Sequence, residues 1–144
     1  MVEASSGLEA IYFFELLNKA NCNIMMMLLD INMGTHQLDG FETAAKIRSI
    51  EENYRKQNSA YRPITIVAHS GDDAKRIRQS PKFKDQIDCF ATKPIKTDQM
   101  QKVLQTMISR LDGDQIQQSL IKIFNQETNR QNFKGRPRIF SVQH

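Results

Sequence analysis

The stretch Ile24-Met25-Met26-Met27-Leu28-Leu29-Asp30 decides the fold. Six consecutive apolar residues closed by an aspartate form the pattern of a strand buried on both faces. The run is far too short to span a bilayer. Upstream, Val2–Ala4 reads as a short strand. It is followed by a helix over Gly7–Lys19, in which Leu8, Ile11, Phe14 and Leu17 recur every three residues. Tyr12, Phe13 and Leu16 widen that apolar face, so this helix calls for cover on more than one side.

Downstream the pattern alternates. Gly40–Tyr54 returns to helical spacing through Phe41, Ala44, Ala45, Ile47 and Ile50, and the polar stretch Arg55–Arg62 closes it. Pro63 precedes a second buried strand, Ile64–Ala68. A loop with Gly71 leads to a short helix carrying Ala74 and Ile77, broken at Pro81. Asp88–Thr92 is a third strand, ended by Lys93-Pro94. Thr97 is a candidate cap for the next helix, whose stripe is Met100, Val103, Leu104, Met107, Ile108 and Leu111. Strands alternating with helices predict an α/β domain, a doubly wound parallel sheet covered on both faces. Asp112-Gly113 ends that pattern. Ile116, Leu120, Ile123 and Phe124 then mark an amphipathic helix over Asp114–Phe124, whose stripe needs cover from the domain or from a second copy in a homodimer. Asn125–His144 has no period and reads as a loose, mobile tail. The expected division is therefore a domain over 1–111 and a helix with a flexible basic tail over 112–144.

Composition narrows the setting. The chain has 144 residues, enough for one domain with a tail, and ordinary apolar and charged fractions. The first residues have neither the basic region nor the apolar run of a signal peptide. Cys22 and Cys89 show no metal-ligand spacing and make no disulfide framework, so a reduced, cytoplasmic setting is the simplest expectation. The net charge of +4 is concentrated in the tail at Arg130, Lys134, Arg136 and Arg138. Such a tail can touch phosphates, but a solvated terminus explains it as well. The chain lacks interleaved aromatic and basic residues and any helix-turn-helix after Leu111, which ranks nucleic-acid binding last.

In open α/β sheets, ligands gather beyond the carboxyl ends of the strands. There the sequence places Asp30, then Ala68 to Ser70, then Lys93. Converging, these could form a phosphoryl-transfer site, with the carboxylate as nucleophile, the ammonium offsetting phosphoryl charge and Mg²⁺ bridging. Each residue alone also has an ordinary explanation as a loop cap.

Taken together they resemble a family. Leu29-Asp30-Ile31-Asn32-Met33, then Asp39-Gly40-Phe41-Glu42, Pro63-Ile64 and Phe90-Ala91-Thr92-Lys93-Pro94-Ile95 are similar, in order, to the response-regulator receiver domain of two-component systems, especially receivers fused to hybrid histidine kinases. Val2–Ala10 is similar to that family's second strand and helix, so the resemblance spans about Val2 to Leu111. It implies a flavodoxin-like fold in which the first strand and helix are absent. It implies phosphorelay signalling, in which Asp30 accepts a phosphoryl group from a histidine kinase or histidine phosphotransfer protein. That makes the chain a phosphoacceptor module rather than a turnover enzyme, either cytoplasmic or the cytosolic part of a membrane-bound sensor kinase. By the same resemblance Lys93 contacts the phosphoryl group, the Asn32 backbone carbonyl joins Asp30 in holding Mg²⁺, Ala68 and Phe90 occupy the switch positions, and Lys93-Pro94 is a cis peptide.

The departures shape the expectation. The family's first strand ends in an acidic pair that supplies the other Mg²⁺ ligands, and Asp30 alone offers that ion little affinity. Ala68 stands where the family has a Thr or Ser hydroxyl, and only a register shift would bring His69 or Ser70 into that role. A missing central strand deletes three or four buried aliphatic side chains at roughly 1.5–3 kcal/mol each. That rivals the whole stability of a domain, about 5–15 kcal/mol. Either the chain is a fragment, the preferred reading, or Val2–Ala4 and Tyr12–Leu17 rearrange to patch the open edge of Ile24–Leu29. Two functions compete: a phosphoacceptor receiver, and a receiver-like pseudo-domain that docks a partner without being phosphorylated.

Overall fold

A computed structural model describes residues 1–31, 38–71, 74–110 and 138–142. Strands β1 (Val2–Ala4), β2 (Ile24–Asp30), β3 (Thr65–Ser70), β4 (Cys89–Thr92) and β5 (Arg138–Val142) alternate with helices α1 (Gly7–Lys19), α2 (Gly40–Gln57), α3 (Ala74–Gln79), α4 (Pro81–Gln86) and α5 (Thr97–Ser109). The five strands form one sheet in the order β1-β5-β2-β3-β4. Every pairing is parallel. The domain is thus α/β, a parallel sheet flanked by helices.

Strand alternation sorts the core into two layers. Met27, Leu29, Ile66, Ala68 and Phe90 join Phe14 of α1, Ile47 of α2 and Ile77 of α3 in one cluster. Met26, Val67 and Ala91 join Val103 of α5 in the other. The strands that carry both sets are apolar throughout, as a sheet covered on both faces requires.

Two expectations about the sheet are corrected. The open edge of β2 is not patched by N-terminal residues: it is covered by β5, from the C-terminal stretch expected to be loose. Met27, Leu28 and Leu29 pair with Phe140, Ser141 and Val142. On its other side β5 pairs with β1, Val2 opposite Phe140 and Ala4 opposite Val142. The position read as absent is therefore filled. Backbone hydrogen bonding gives the reason: a central strand leaves two rows of peptide groups to satisfy, and Arg138-Ile139-Phe140-Ser141-Val142 carries the β-branched and aromatic residues that suit a strand. The expected helix over Asp114–Phe124, like Leu111 and most of the tail, lies outside the described residues.

Local chemistry sets the helix ends. The Ser6 hydroxyl accepts from the Glu9 N–H at 3.2 Å and starts α1. Asn21, at φ 53°, turns the chain out of it in the left-handed conformation that asparagine tolerates. Asp39 and Glu42 form a reciprocal capping box at the start of α2. Thr97 does not cap α5: the cap is Lys96, whose N–H donates to Gln99 Oε1 at 3.2 Å. Only part of the α1 face is covered, since Phe14 is buried while Leu8, Tyr12 and Leu16 are exposed. Among the described residues no helix is long and apolar enough to cross a membrane.

Candidate functional site

The parallel register brings the carboxyl ends of three strands to one edge. Asp30 ends β2 and pairs with His69 of β3, while Ser70 pairs with Thr92 of β4. Lys93 follows directly, its N–H donating to the Ser70 carbonyl at 3.0 Å. The backbone thus carries the Lys93 side chain back over the edge, where its Nζ donates to Asp30 Oδ2 in an ion pair. The Asp30 side chain is 9% exposed and that of Lys93 38%. The pair is closed toward the sheet and open toward solvent on the lysine side.

Asp30 is positioned from behind by glycine. A Cβ on Gly40 would lie 2.5 Å from the Asp30 carbonyl oxygen and 2.8 Å from the Ile31 Cα. Both neighbours are backbone, so only glycine lets α2 begin this close to the end of β2. The Asp39-Gly40 step therefore has two structural duties, a helix cap and a close approach. On the lysine side, Gln99 Oε1 accepts from the Thr92 N–H and hydroxyl, both at 2.9 Å, and fixes the peptide before Lys93. The Lys93-Pro94 bond is cis.

The remaining predicted positions are distributed around this pair. Ala68 is fully buried, opposite Leu29 on one side and Phe90 on the other. The residue opposite Asp30 is thus His69, not Ala68. Phe90 is buried, with the Arg78 guanidinium 5.3 Å from its ring centroid. Asn32 lies outside the described residues. His69 lies close enough to Lys93 and Asp30 to feel both: burial and the Lys93 charge lower its pKa from the usual imidazole value, and the Asp30 carboxylate opposes them. Its buried Nε2 has no hydrogen-bond partner. Sequence reasoning missed Arg78 and Gln99 as supports. A glutamine three positions after a helix start was the available signal for the second.

The donors present do not fit Mg²⁺. That ion takes octahedral oxygen coordination, usually through one or two carboxylates, waters and substrate oxygens. Among the described residues no group of three or more His, Cys, Asp or Glu side chains converges. The strand beside β2 in the sheet, Arg138–Val142, contains no carboxylate. Asp30 is left as the lone described acidic ligand at this edge.

A second polar centre lies at the other end of the strands. The Asp88 carboxylate accepts from Arg48 Nη2 at 2.6 Å, from the Ile66 N–H at 2.7 Å and from Arg110 Nη2. Arg48 and Arg110 also donate to the Ile64 carbonyl, at 3.0 and 2.6 Å. Glu51, almost fully buried, accepts from Arg48 and from the Ile64 N–H. Burial raises its carboxyl pKa against the Arg48 charge. Every described polar partner here is structural: the network ties α2, β3, β4 and the end of α5 together.

No protein-family model, curated protein or solved structure matches this chain.

Proposed function

We propose that the chain is a receiver module of His–Asp phosphorelay signalling, with Asp30 as the residue that accepts the phosphoryl group. The observation that carries this reading is the Asp30–Lys93 ion pair at the carboxyl ends of the strands, with Lys93 joined to a cis proline. The strand order supports it. With β5 in the first-strand position, β1-β5-β2-β3-β4 corresponds to the flavodoxin-like order 2-1-3-4-5.

The chemistry asked of these residues is a displacement at phosphorus. An Asp30 carboxylate oxygen attacks the phosphorus of a phosphohistidine, the P–N bond breaks and the imidazole leaves with the electron pair and takes up a proton. An acyl phosphate remains on Asp30. Lys93 Nζ moves from the carboxylate to a phosphoryl oxygen and keeps one positive charge on the site. A histidine kinase or histidine phosphotransfer protein is the donor on this reading, and a cytoplasmic site of action follows from it.

A second reading has a specific observation in its favour. The strand that occupies the first-strand position has no carboxylate, and Lys93 already neutralises Asp30. Both suit a receiver-like module that docks its partner without being phosphorylated. Incubation with a phosphohistidine-bearing phosphotransfer protein separates the two. Label that is labile to hydroxylamine and absent in Asp30→Asn supports phosphotransfer. Binding of that protein without label, unchanged in Asp30→Asn, supports docking.

A further inference from the structure

The last strand in sequence sits inside the sheet, and it is the one element whose place does not depend on being in the same chain. β5 pairs with β1 through Val2–Ala4 and with β2 from Ile24 to Leu29. In the sheet order β1 has no other strand neighbour. Without β5 the sheet loses β1, and β2 presents an almost wholly apolar edge with an unpaired row of backbone groups. Such an edge pairs with whatever strand is offered in register.

The connection to this strand is long for the distance it spans. It leaves α5 at Arg110, whose guanidinium is held by the Ile64 carbonyl at the start of β3. It re-enters at Arg138, opposite Ile24 at the start of β2. Both ends lie at the same end of the sheet. From β4 to β5 is three strand spacings, about 14 Å, while a chain of residues 110–137 stretches to about 90 Å. A free connection of that length has an r.m.s. span of about 30 Å. Nothing in the backbone ladder distinguishes the chain's own strand from an identical strand of another molecule.

We propose that the slot between β1 and β2 is a strand-acceptor site, and that its partner is a second copy of this chain. Reciprocal exchange of Arg138–Val142 gives a closed dimer in which each sheet is complete. The competing closed monomer is favoured by the effective concentration of a strand on a flexible tether, about 1 mM. Exchange therefore dominates at or above that concentration and is about a thousandfold rarer at 1 µM.

The test uses two full-length variants in a Cys22→Ser, Cys89→Ser background. One carries Leu28→Cys and the other Ser141→Cys, positions that are opposite one another in the β2–β5 ladder. The two are mixed, unfolded in urea, refolded at about 1 mM or about 1 µM, and treated with a short bis-maleimide. The expected result is a covalent heterodimer as a major product at 1 mM and in trace at 1 µM, abolished by adding Phe140→Pro to the Ser141→Cys chain. A single chain carrying both cysteines cross-links within itself at 1 µM. No heterodimer at 1 mM, or a heterodimer indifferent to Phe140→Pro, overturns the proposal. Failure of the double-cysteine chain to close on itself overturns it too, because the slot is then not occupied by β5.

Discussion

Replacing Asp88 by alanine removes the centre of the polar network that joins four elements. Its carboxylate serves three donors: Arg48 Nη2, Arg110 Nη2 and the Ile66 N–H. Ile66 is fully buried, so its orphaned N–H costs about 1–3 kcal/mol. Arg48 keeps Glu51 and the Ile64 and Gln86 carbonyls. Arg110 keeps one described carbonyl, that of Ile64. The three ionic side chains are 16–30% exposed, and breaking a pair at such depth costs about 3–5 kcal/mol with the orphaned donor included. That is a large part of the roughly 5–15 kcal/mol that holds a domain of this kind. Urea denaturation followed by far-ultraviolet circular dichroism should show a midpoint lowered by about 1.5–3 M, taking a slope near 1.5–2 kcal/mol/M. Asp88→Asn, which keeps an acceptor for Ile66, should lose about half as much. A loss under 1 kcal/mol for Asp88→Ala at an unchanged slope would refute the claim that this network holds α5 to the sheet.

Lys93→Met leaves the Asp30 carboxylate nearly buried without its ammonium and should destabilise the fold by about 1–3 kcal/mol at pH 7. In a double-mutant cycle Asp30→Asn should recover most of that loss; additive costs would deny the coupling. Two groups should imprint opposite pH slopes. Glu51, whose folded pKa is raised from 4.5 by burial, contributes stability that is full below 4.5 and lost as pH rises through the raised value, and Glu51→Gln should flatten that limb in urea titrations. His69, lowered from 6.5 chiefly by burial, contributes stability that is full above 6.5 and lost as pH falls through its lowered value; His69→Gln should remove that dependence. Phe140→Pro withdraws a ladder donor from β5, and hydrogen exchange should then lose protection at Val2–Ala4 while Ile66–Ala68 keep theirs. Unchanged protection at Val2–Ala4 would mean that β1 is not held by β5.

Much of the layout was legible because continuous apolar runs have few alternatives. Ile24–Leu29, Ile64–Ala68 and Asp88–Thr92 were read as parallel strands, and the structure has strands at Ile24–Asp30, Thr65–Ser70 and Cys89–Thr92. The meeting of Asp30 with Lys93 followed from the strand-end rule once the strands were parallel. What escaped was non-local. Arg48 and Asp88 are 40 positions apart, and neither carries a local pattern that names the other. Thr97 is a good cap by residue type, yet the glutamine two positions later decides where α5 begins. The largest miss, β5, did have a signal. Ile139 and Phe140 directly follow Pro137-Arg138, much as Ile64 follows Pro63. The strand is short and ends in polar residues, so it is hard to tell from a tail until the backbone groups of β1 and β2 are asked for partners.

The occupied first-strand position also changes what adding a strand would do. An upstream strand bearing an acidic pair would have to displace β5 before its carboxylates could reach Asp30. The charge problem at the site therefore belongs to the folded chain. Lys93 offers one point charge against a phosphoryl dianion, and Ala68 offers no hydroxyl. Phosphotransfer to Asp30 should accordingly be slow with acetyl phosphate and depend on a docked donor protein.

The most direct test is transfer of radiolabelled phosphoryl from a phosphohistidine-bearing phosphotransfer protein to the full chain, read by gel and by hydroxylamine lability. The account predicts a labelled acyl phosphate that disappears in Asp30→Asn and is strongly reduced in Lys93→Met. Label that persists in Asp30→Asn, or no label while the two proteins form a complex, would contradict it.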